Sequence, residues 1–480
     1  MRCWLRATVD RARHADLRGD PLTDRHVDFS QPLHPTPGQL RGLRRMASAV
    51  RAAQLTVHTA LLHHAAGHPL SLVDAAPGRA APLPRLAPDA RVWPPTVTQQ
   101  RLVGELQHLR GSLGWPSMPA SALGWAVSSV AQVWRAPALR PRRVSDLTTL
   151  DALPPPVIAL RNVLPVDEVT LEILGLGDHA LVEADLYLLP TPFAQALWHR
   201  HHARLGREAE RLTQAEAAFF SGGAPQPAAD ALRLRARYAS VGLLLDGRSA
   251  PPAPPPGAPT CRDQVVLRDV GTPTAPRWEV VWSFHVPAPS RWLVDDVLGV
   301  DPGQRHTWAY ASAAMHGVIP RPHAGAWVWP ALDPGPGITP HGERRARAWA
   351  RRALFERMRP GHEQLIALAL MHRVCAVEDV AWGGFRWHGS YADYAGDPGI
   401  GIRAALDWLT ALAPVHGVEL IRTPPAYSTR TCSRCGRVRP RPGSGRPFTC
   451  PCGQREAADI NAARNHRQRA LQMLAARRDG

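Results

Sequence analysis

Four cysteines near the C-terminus constrain this chain more than any other feature. Cys432 and Cys435 form one close pair, Cys450 and Cys452 a second, and a glycine follows each pair. Two such pairs can hold a tetrahedral zinc ion, each sulfur about 2.3 Å away, in a ribbon built of two knuckles. The second pair reads Cys-x-Cys where the usual knuckle is Cys-x-x-Cys, which implies a strained ligand or a weaker hold on zinc. Just beyond, Asp459-Ile-Asn-Ala-Ala-Arg464 opens a good helix-forming run. The Asp459 carboxylate therefore falls at the positive end of a helix dipole.

Taken alone, Asp459 would be an ordinary N-terminal helix acid, so its partners matter. Trp292-Leu-Val-Asp-Asp-Val-Leu-Gly-Val-Asp301 is a short apolar run that delivers a carboxylate at its end, just before a Pro-Gly turn. A second apolar run, Val374-Cys-Ala-Val-Glu-Asp-Val-Ala-Trp382, is interrupted by Glu378 and Asp379. An acid in a buried strand is costly unless it is paired or binds metal, which makes Asp301 and Glu378 candidate ligands. Asp379 reads as a structural neighbour.

Gly299-Val-Asp-Pro-Gly303, Ala376-Val-Glu-Asp-Val380 and Asp459-Ile-Asn-Ala-Ala463 come in this order, with the ribbon between the second and the third. Together they resemble the split RuvC nuclease of the TnpB transposon proteins and of their descendants, the compact type V CRISPR effectors. The resemblance covers residues 290 to 475 and implies a multidomain α+β chain. A helical recognition lobe and a small β-barrel wedge domain would precede a RuvC domain of RNase H-like α/β fold with an inserted zinc ribbon. The implied boundaries are a first wedge segment at 1–40, the helical lobe at 41–150 and the remainder of wedge and recognition at 151–298. RuvC motifs I and II follow at 299–425, the ribbon at 426–456 and the motif III helix at 457–480.

The implied activity is RNA-guided DNA endonuclease cleavage with Asp301, Glu378 and Asp459 as catalytic acids. Three carboxylates in one cleft need a compensating cation, so Mg2+ or Mn2+ is expected beside Zn2+ at Cys432, Cys435, Cys450 and Cys452. From the resemblance, Asp301 bridges two ions, and Glu378 and Asp459 each favour one. The implied partners are a guide RNA and target double-stranded DNA, with the protein as monomer or dimer. Two rival readings are a guided binder that silences its target by occupancy and a structure-specific nuclease that uses no RNA. A transposon-encoded TnpB nuclease is the alternative within the family.

Composition agrees with a polyanion partner. The 480 residues suit about three domains, and 45% hydrophobic content suffices for sizeable cores. A net charge of +17 and a pI near 10.9 point to nucleic acid. All 57 basic residues are arginine, a fork-shaped donor suited to phosphate. There is neither an apolar run of membrane-spanning length nor a signal peptide, so a cytoplasmic location and zinc ligation rather than disulfides are expected. Cys3, Cys261 and Cys375 stand apart from the pairs, Cys375 as a buried strand residue.

Along the chain, residues 1 to 30 show no strong period, and Leu33-His-Pro-Thr-Pro-Gly-Gln39 reads as the start of a helix to about Ala66. Residues 97–135 and 192–243 have helical periodicity, and residues 150–190 read as strands. In the second of these helical regions Arg200, Arg204, Arg207 and Arg211 form a stripe that could follow a nucleic-acid backbone. Arg430 and Arg434, beside the ribbon, are further candidate contacts. His199, His201 and His202 lack a metal-ligand pattern. Ser249–Pro259 is a stiff proline linker, and 263–268 with 277–287 is a strand pair. Further strands are expected at 298–301, 306–311, 326–330, 374–378 and 418–422, and helices from 343 to 372 and 401 to 413. The glycines and aromatics of 382–391 suit a mobile lid.

Overall fold

The computed structural model describes residues 25–76, 98–112, 115, 118–135, 153, 156–160, 163–173, 176, 181–221, 258–272, 274–286, 292–302, 306–320, 340–379, 399–440 and 447–479. The linker at 249–257, the helical pattern at 222–243, the strand expected at 326–330, the run 382–391 and Cys3 lie outside them. The chain divides into two compact units. One comprises Ser30–Ala184 and Arg262–Trp282; the other comprises Met1–Phe29, Asp185–Cys261 and Ser283–Gly480.

Strand β1 (Arg25–His34) occupies a stretch in which no period is evident from sequence. Val27, Phe29, Gln31 and Leu33 are buried in strict alternation with exposed neighbours at His26, Asp28 and Ser30. Gln31 in the apolar series and Pro32 beside it hide a strand that the period of two would otherwise reveal. After it, Thr36 caps α1 (Pro37–Ala65) in a reciprocal capping box with Gln39, and Pro37 stands at the first helical position. The Gln39 side chain goes on to donate to the Leu181 carbonyl at 2.5 Å. Helices α2 (Gln99–Leu109) and α3 (Ala120–Arg135) close on α1 around Val50, Val57, Leu61, Leu102, Leu123 and Val127. Each such side chain, fully buried, contributes about 1.5–3 kcal/mol. Polar links fix the register: Gln54 donates to Ser129 Oγ at 2.9 Å and Trp134 Nε1 donates to His58 Nδ1 at 3.0 Å, both in the buried interior.

Strands β2 (Ile158–Leu160), β3 (Val163–Asp167), β4 (Thr170–Ile173), β5 (Leu181–Ala184), β6 (Thr260–Asp269) and β7 (Trp278–Val286) join β1 in a seven-stranded sheet of order β2-β6-β7-β1-β5-β4-β3. Its two edge strands, β2 and β3, follow one another in the chain, which makes the sheet nearly barrel-like. The strand pair expected at 263–268 and 277–287 is β6 and β7, neighbours in that sheet.

The second unit holds α4 (Thr191–Phe220) and a five-stranded sheet made of β8 (Val294–Asp301), β9 (His306–Ala311), β10 (His316–Pro320), β11 (His372–Glu378) and β12 (Glu419–Thr423). Its order is β10-β9-β8-β11-β12. β8 pairs antiparallel with β9 and parallel with β11, which pairs parallel with β12. The parallel steps need crossovers, supplied by α5 (Pro340–Leu370) before β11 and α6 (Gly399–Val415) before β12. α5 continues through Pro360, and Arg359 beside it donates to the carbonyls of Leu189 at 2.6 Å and Tyr187 at 2.5 Å. The last helix, α7 (Ala458–Asp479), returns to the middle of this sheet, where Val297, Val374, Ala376 and Ile421 pack against Ala470, Met473 and Leu474.

Gly299 marks the closest approach of strand and helix. A Cβ there would lie 2.0 Å from the Ala463 carbonyl oxygen and 2.7 Å from the Arg467 nitrogen, both backbone atoms that cannot step aside. Gly299→Ala is expected to destabilise the protein by about 3 kcal/mol, the upper end of overpacking. Gly124→Ala, in open space on α3, should leave stability unchanged or raise it by about 0.5–1 kcal/mol. Denaturant midpoints of the two variants check this.

Candidate functional site

Asp301, Glu378 and Thr423 each end a strand, on three parallel neighbours. Val377 is level with Val300 and Glu378 with Thr423, so the three side chains form one row at the carboxyl end of the sheet. That end is where open α/β sheets place their ligand sites. By the period of two, Asp301 and Glu378 share the face of Val297, Val374 and Ala376 that α7 covers.

α7 brings His466 onto this row. Its Nε2 lies 3.3 Å from Asp301 Oδ1 and its Nδ1 lies 2.6 Å from Thr423 Oγ1, and the Thr423 hydroxyl also donates to the Val377 carbonyl at 3.2 Å. Asp301 is only 3% exposed and His466 not at all. One donor atom from each of Asp301, Glu378 and His466 falls within a mutual 4.8 Å, a grouping able to hold a metal ion. Asp459 sits in the first turn of α7, half-buried and outside that group, but near enough for its charge to act on Asp301.

The electrostatics follow from burial and like charge. Burial pushes the Asp301 carboxyl well above its usual range and the Asp459 charge adds to the shift. Glu378 is pushed up to about 7, by burial first and by Asp301 second, although His466 and Arg469 pull the other way. Burial takes the His466 imidazole down to about 4, so the ring is neutral at pH 7.

The same helix carries the ribbon on another face. Asn461 accepts from the Ser433 amide at 3.0 Å and donates to the Thr431 carbonyl at 2.7 Å. Asn465 donates to the carbonyls of Ser428 and Thr431, both at 2.7 Å, and Gln468 donates to the Ser433 carbonyl at 2.5 Å. These side-chain amides give the backbone groups of the first knuckle the partners that burial requires. The four sulfurs converge: Cys432 and Cys452 are 3.5 Å apart, Cys435 and Cys450 are 3.6 Å apart, and all four come within 4.8 Å of one another. Ligands about 2.3 Å from a tetrahedral ion would stand about 3.8 Å apart, so the donor set fits zinc in spite of the shortened knuckle. Gly436 and Gly453 adopt φ of 75° and 88°, the left-handed turns that let each knuckle fold back. The Gln454 amide beside Cys452 holds that thiol down to about 7, towards the thiolate that a metal requires.

The expected nucleic-acid contacts are placed less uniformly. Arg434 is exposed and donates to the Cys452 carbonyl at 3.3 Å. Arg430 donates to the Arg439 carbonyl at 3.0 Å and stacks 5.2 Å from the Tyr427 ring centre. On α4, Arg200 is half-buried beside Cys261 Sγ at 3.9 Å and Arg207 is exposed. Arg204 and Arg211 lie on the same helix, with side chains outside the described residues.

One family model matches this region: residues 403–466 correspond to the TNB domain of Cas12f1-like proteins. This segment is similar to a Cas12f1-like TNB domain. The match spans α6, β12, the ribbon and the first turns of α7, and it supports the resemblance to compact type V effectors and TnpB-like proteins. No curated protein sequence matches. Two cryo-EM structures are similar at low identity. A Cas12f1–sgRNA–target DNA complex is 14% identical, with 58% of this chain and 95% of that chain covered at a TM-score of 0.23. A CRISPR–Cas12f ternary complex is 12% identical, with 90% and 81% covered at a TM-score of 0.26.

His466 and Thr423 do not stand out in the sequence, yet a signal exists for the first. His466 follows Asp459 by two helical turns, the spacing that puts both on one face. For the ribbon, elemental analysis of the purified protein is expected to find about one zinc per chain, lost in Cys452→Ser, with the Thr431–Cys452 segment becoming protease-sensitive.

Proposed function

We propose that this chain is an RNA-guided DNA endonuclease whose RuvC-type centre comprises Asp301, Glu378 and Asp459. The observation that carries this reading is the placement of a buried Asp301 beside a half-buried Glu378 at the carboxyl ends of parallel strands, beneath the helix that supplies Asp459. The strand order β10-β9-β8-β11-β12, with its antiparallel and parallel steps, supports an RNase H-like domain. The TNB match and a charge of +17 in which every cation is arginine support nucleic acid as the substrate class.

The acids fit Mg2+ or Mn2+. A buried carboxyl, a half-buried one and a third nearby repel one another, and Arg469 offsets so little of this that Glu378 still stands at about 7. When bound, such ions would lower the pKa of an attacking water and neutralise charge on the leaving oxygen of the phosphodiester. The chain's own part is to hold the centre rigid. Asp301 is held at the end of its strand, with Glu378 one strand away and Asp459 at the positive end of α7. Asp301, Glu378 and Asp459 would be the residues that hold such ions.

In this reading Zn2+ in the four-cysteine ribbon is structural. The helical lobe at 41–150 and the wedge at 1–40 and 151–298 would hold a guide RNA paired to target DNA, leaving sequence to base pairing and shape to the protein. RuvC motifs I and II occupy 299–425, the ribbon 426–456 and the third motif 457–480, while Arg430, Arg434 and the α4 arginines would contact phosphates.

The test is to purify the protein from cells carrying its native locus, sequence the bound RNA, and present the complex with Mg2+ and a library of DNA targets. Guide-dependent cleavage is expected, reduced about a thousandfold or more by Asp301→Ala. Guide-dependent binding with no cleavage in either protein would favour silencing by occupancy, and absence of RNA would end the guided reading.

A pH dependence follows. Because the Glu378 pKa is raised to about 7, below that pH the ion must displace a proton. Apparent Mg2+ affinity should fall at least about tenfold per unit below pH 7. Glu378→Gln should lessen this slope, as read by calorimetric titration at several pH values.

A further inference from the structure

We infer that His466 is a nitrogen ligand in the acid centre, which biases that centre towards Mn2+ over Mg2+. The inference rests on the proposed acid centre and adds a residue to it. Three observations carry it. His466 is wholly buried and its Nε2 stands 3.3 Å from Asp301 Oδ1, close to the separation of about 3 Å between two ligand atoms at right angles around one ion at about 2.1 Å. Donor atoms of Asp301, Glu378 and His466 together fall within 4.8 Å of each other.

The third observation is the partner of the other ring nitrogen. Thr423 Oγ1 has one proton, and the Val377 carbonyl, 3.2 Å away, can only accept it. With that proton on the carbonyl, the same oxygen accepts the Nδ1 proton of His466 across 2.6 Å, and in the tautomer we infer the Nε2 lone pair faces Asp301 and Glu378. Metal-binding imidazoles are held in this way, the second ring nitrogen donating to a fixed acceptor. Thr423 is itself fixed at the end of β12, level with Glu378. Orientation of the ring is thus built into the sheet. An imidazole nitrogen is a softer donor than carboxylate or water, so it favours Mn2+ more than Mg2+, whose preferred ligands are oxygens.

The bland alternative is that Nε2 carries the proton and donates it to Asp301, with no bond to metal. Electron spin echo spectroscopy on the full-length protein loaded with Mn2+ separates the two. Modulation from a directly bound histidine nitrogen is expected in the wild type and absent in His466→Leu. Titration should show Mn2+ affinity about 10–100-fold weaker in His466→Leu and about tenfold weaker in Thr423→Val, with Mg2+ affinity changed less in both. Thermal melts of the metal-free variants check that the fold survives. Thr423→Val, which leaves the ring in place, keeps the test open if His466→Leu unfolds.

Wild-type protein with bound Mn2+ but no nitrogen modulation would overturn the inference, as would equal losses of Mg2+ and Mn2+ affinity in both variants. Asp301→Ala distinguishes this from failure of the parent reading. If Mn2+ binding is lost in Asp301→Ala yet no nitrogen signal is seen in the wild type, only the role of His466 fails. Mn2+ binding that survives Asp301→Ala unchanged removes the acid centre and the histidine with it.

Discussion

The contact between α7 and β8 is the constraint on which the C-terminal region depends. Helix and strand approach so closely at Gly299 that no side chain fits between them. Arg467 then ties the same helix to the strand by donating to the Val297 carbonyl at 3.2 Å and to Asp296 at 2.9 Å. From that fixed position the helix serves two neighbours. One face lowers His466 towards Asp301 and Thr423, and another uses Asn461, Asn465 and Gln468 to grip the loop that bears Cys432 and Cys435. A shift of the helix would move the acid centre and the ribbon together. Packed interfaces transmit such displacements because they hold few alternatives at native density.

This arrangement gives a physical reason for the sequence Asp-Ile-Asn-Ala-Ala-Arg-Asn-His at the start of α7. Asp459 meets the dipole, while Ala462 and Ala463 are fully buried and small enough to permit the close approach. The two asparagines meet backbone carbonyls that the tight knuckle turns towards the helix. Arg469 supplies positive charge next to Glu378 while donating to the carbonyls of Pro424 and Ala426, so it steadies the entry to the ribbon as well as the acids. Charge, hydrogen bonding and packing in one helix are therefore not separable functions.

Raised carboxyl pKa values at Asp301 and Glu378 are a cost in the metal-free protein. Each of these acids gives up hydration without gaining a full countercharge. Such a cost is retained where a site must bind a cation tightly, because the ion recovers the lost electrostatic energy on arrival. The ribbon shows the same logic in sulfur, with four thiols gathered within 4.8 Å that repel as thiolates until a metal joins them.

Local patterns specify much of this protein. The knuckle cysteines, the acid at the end of each apolar run, the Thr36–Gln39 capping box and the long helices are all legible in the sequence, because each depends on neighbours within a few residues. β1 is not, since Gln31 and Pro32 break its alternation and its partners are far away in sequence. Nor is the pairing of His466 with Thr423 and Asp301, because it depends on which strands are adjacent and on where α7 crosses them. Residue types and their spacing thus name the side chains able to bind metal. Which of them meet is a property of the folded chain, since it follows from strand register and from a helix seated against a glycine.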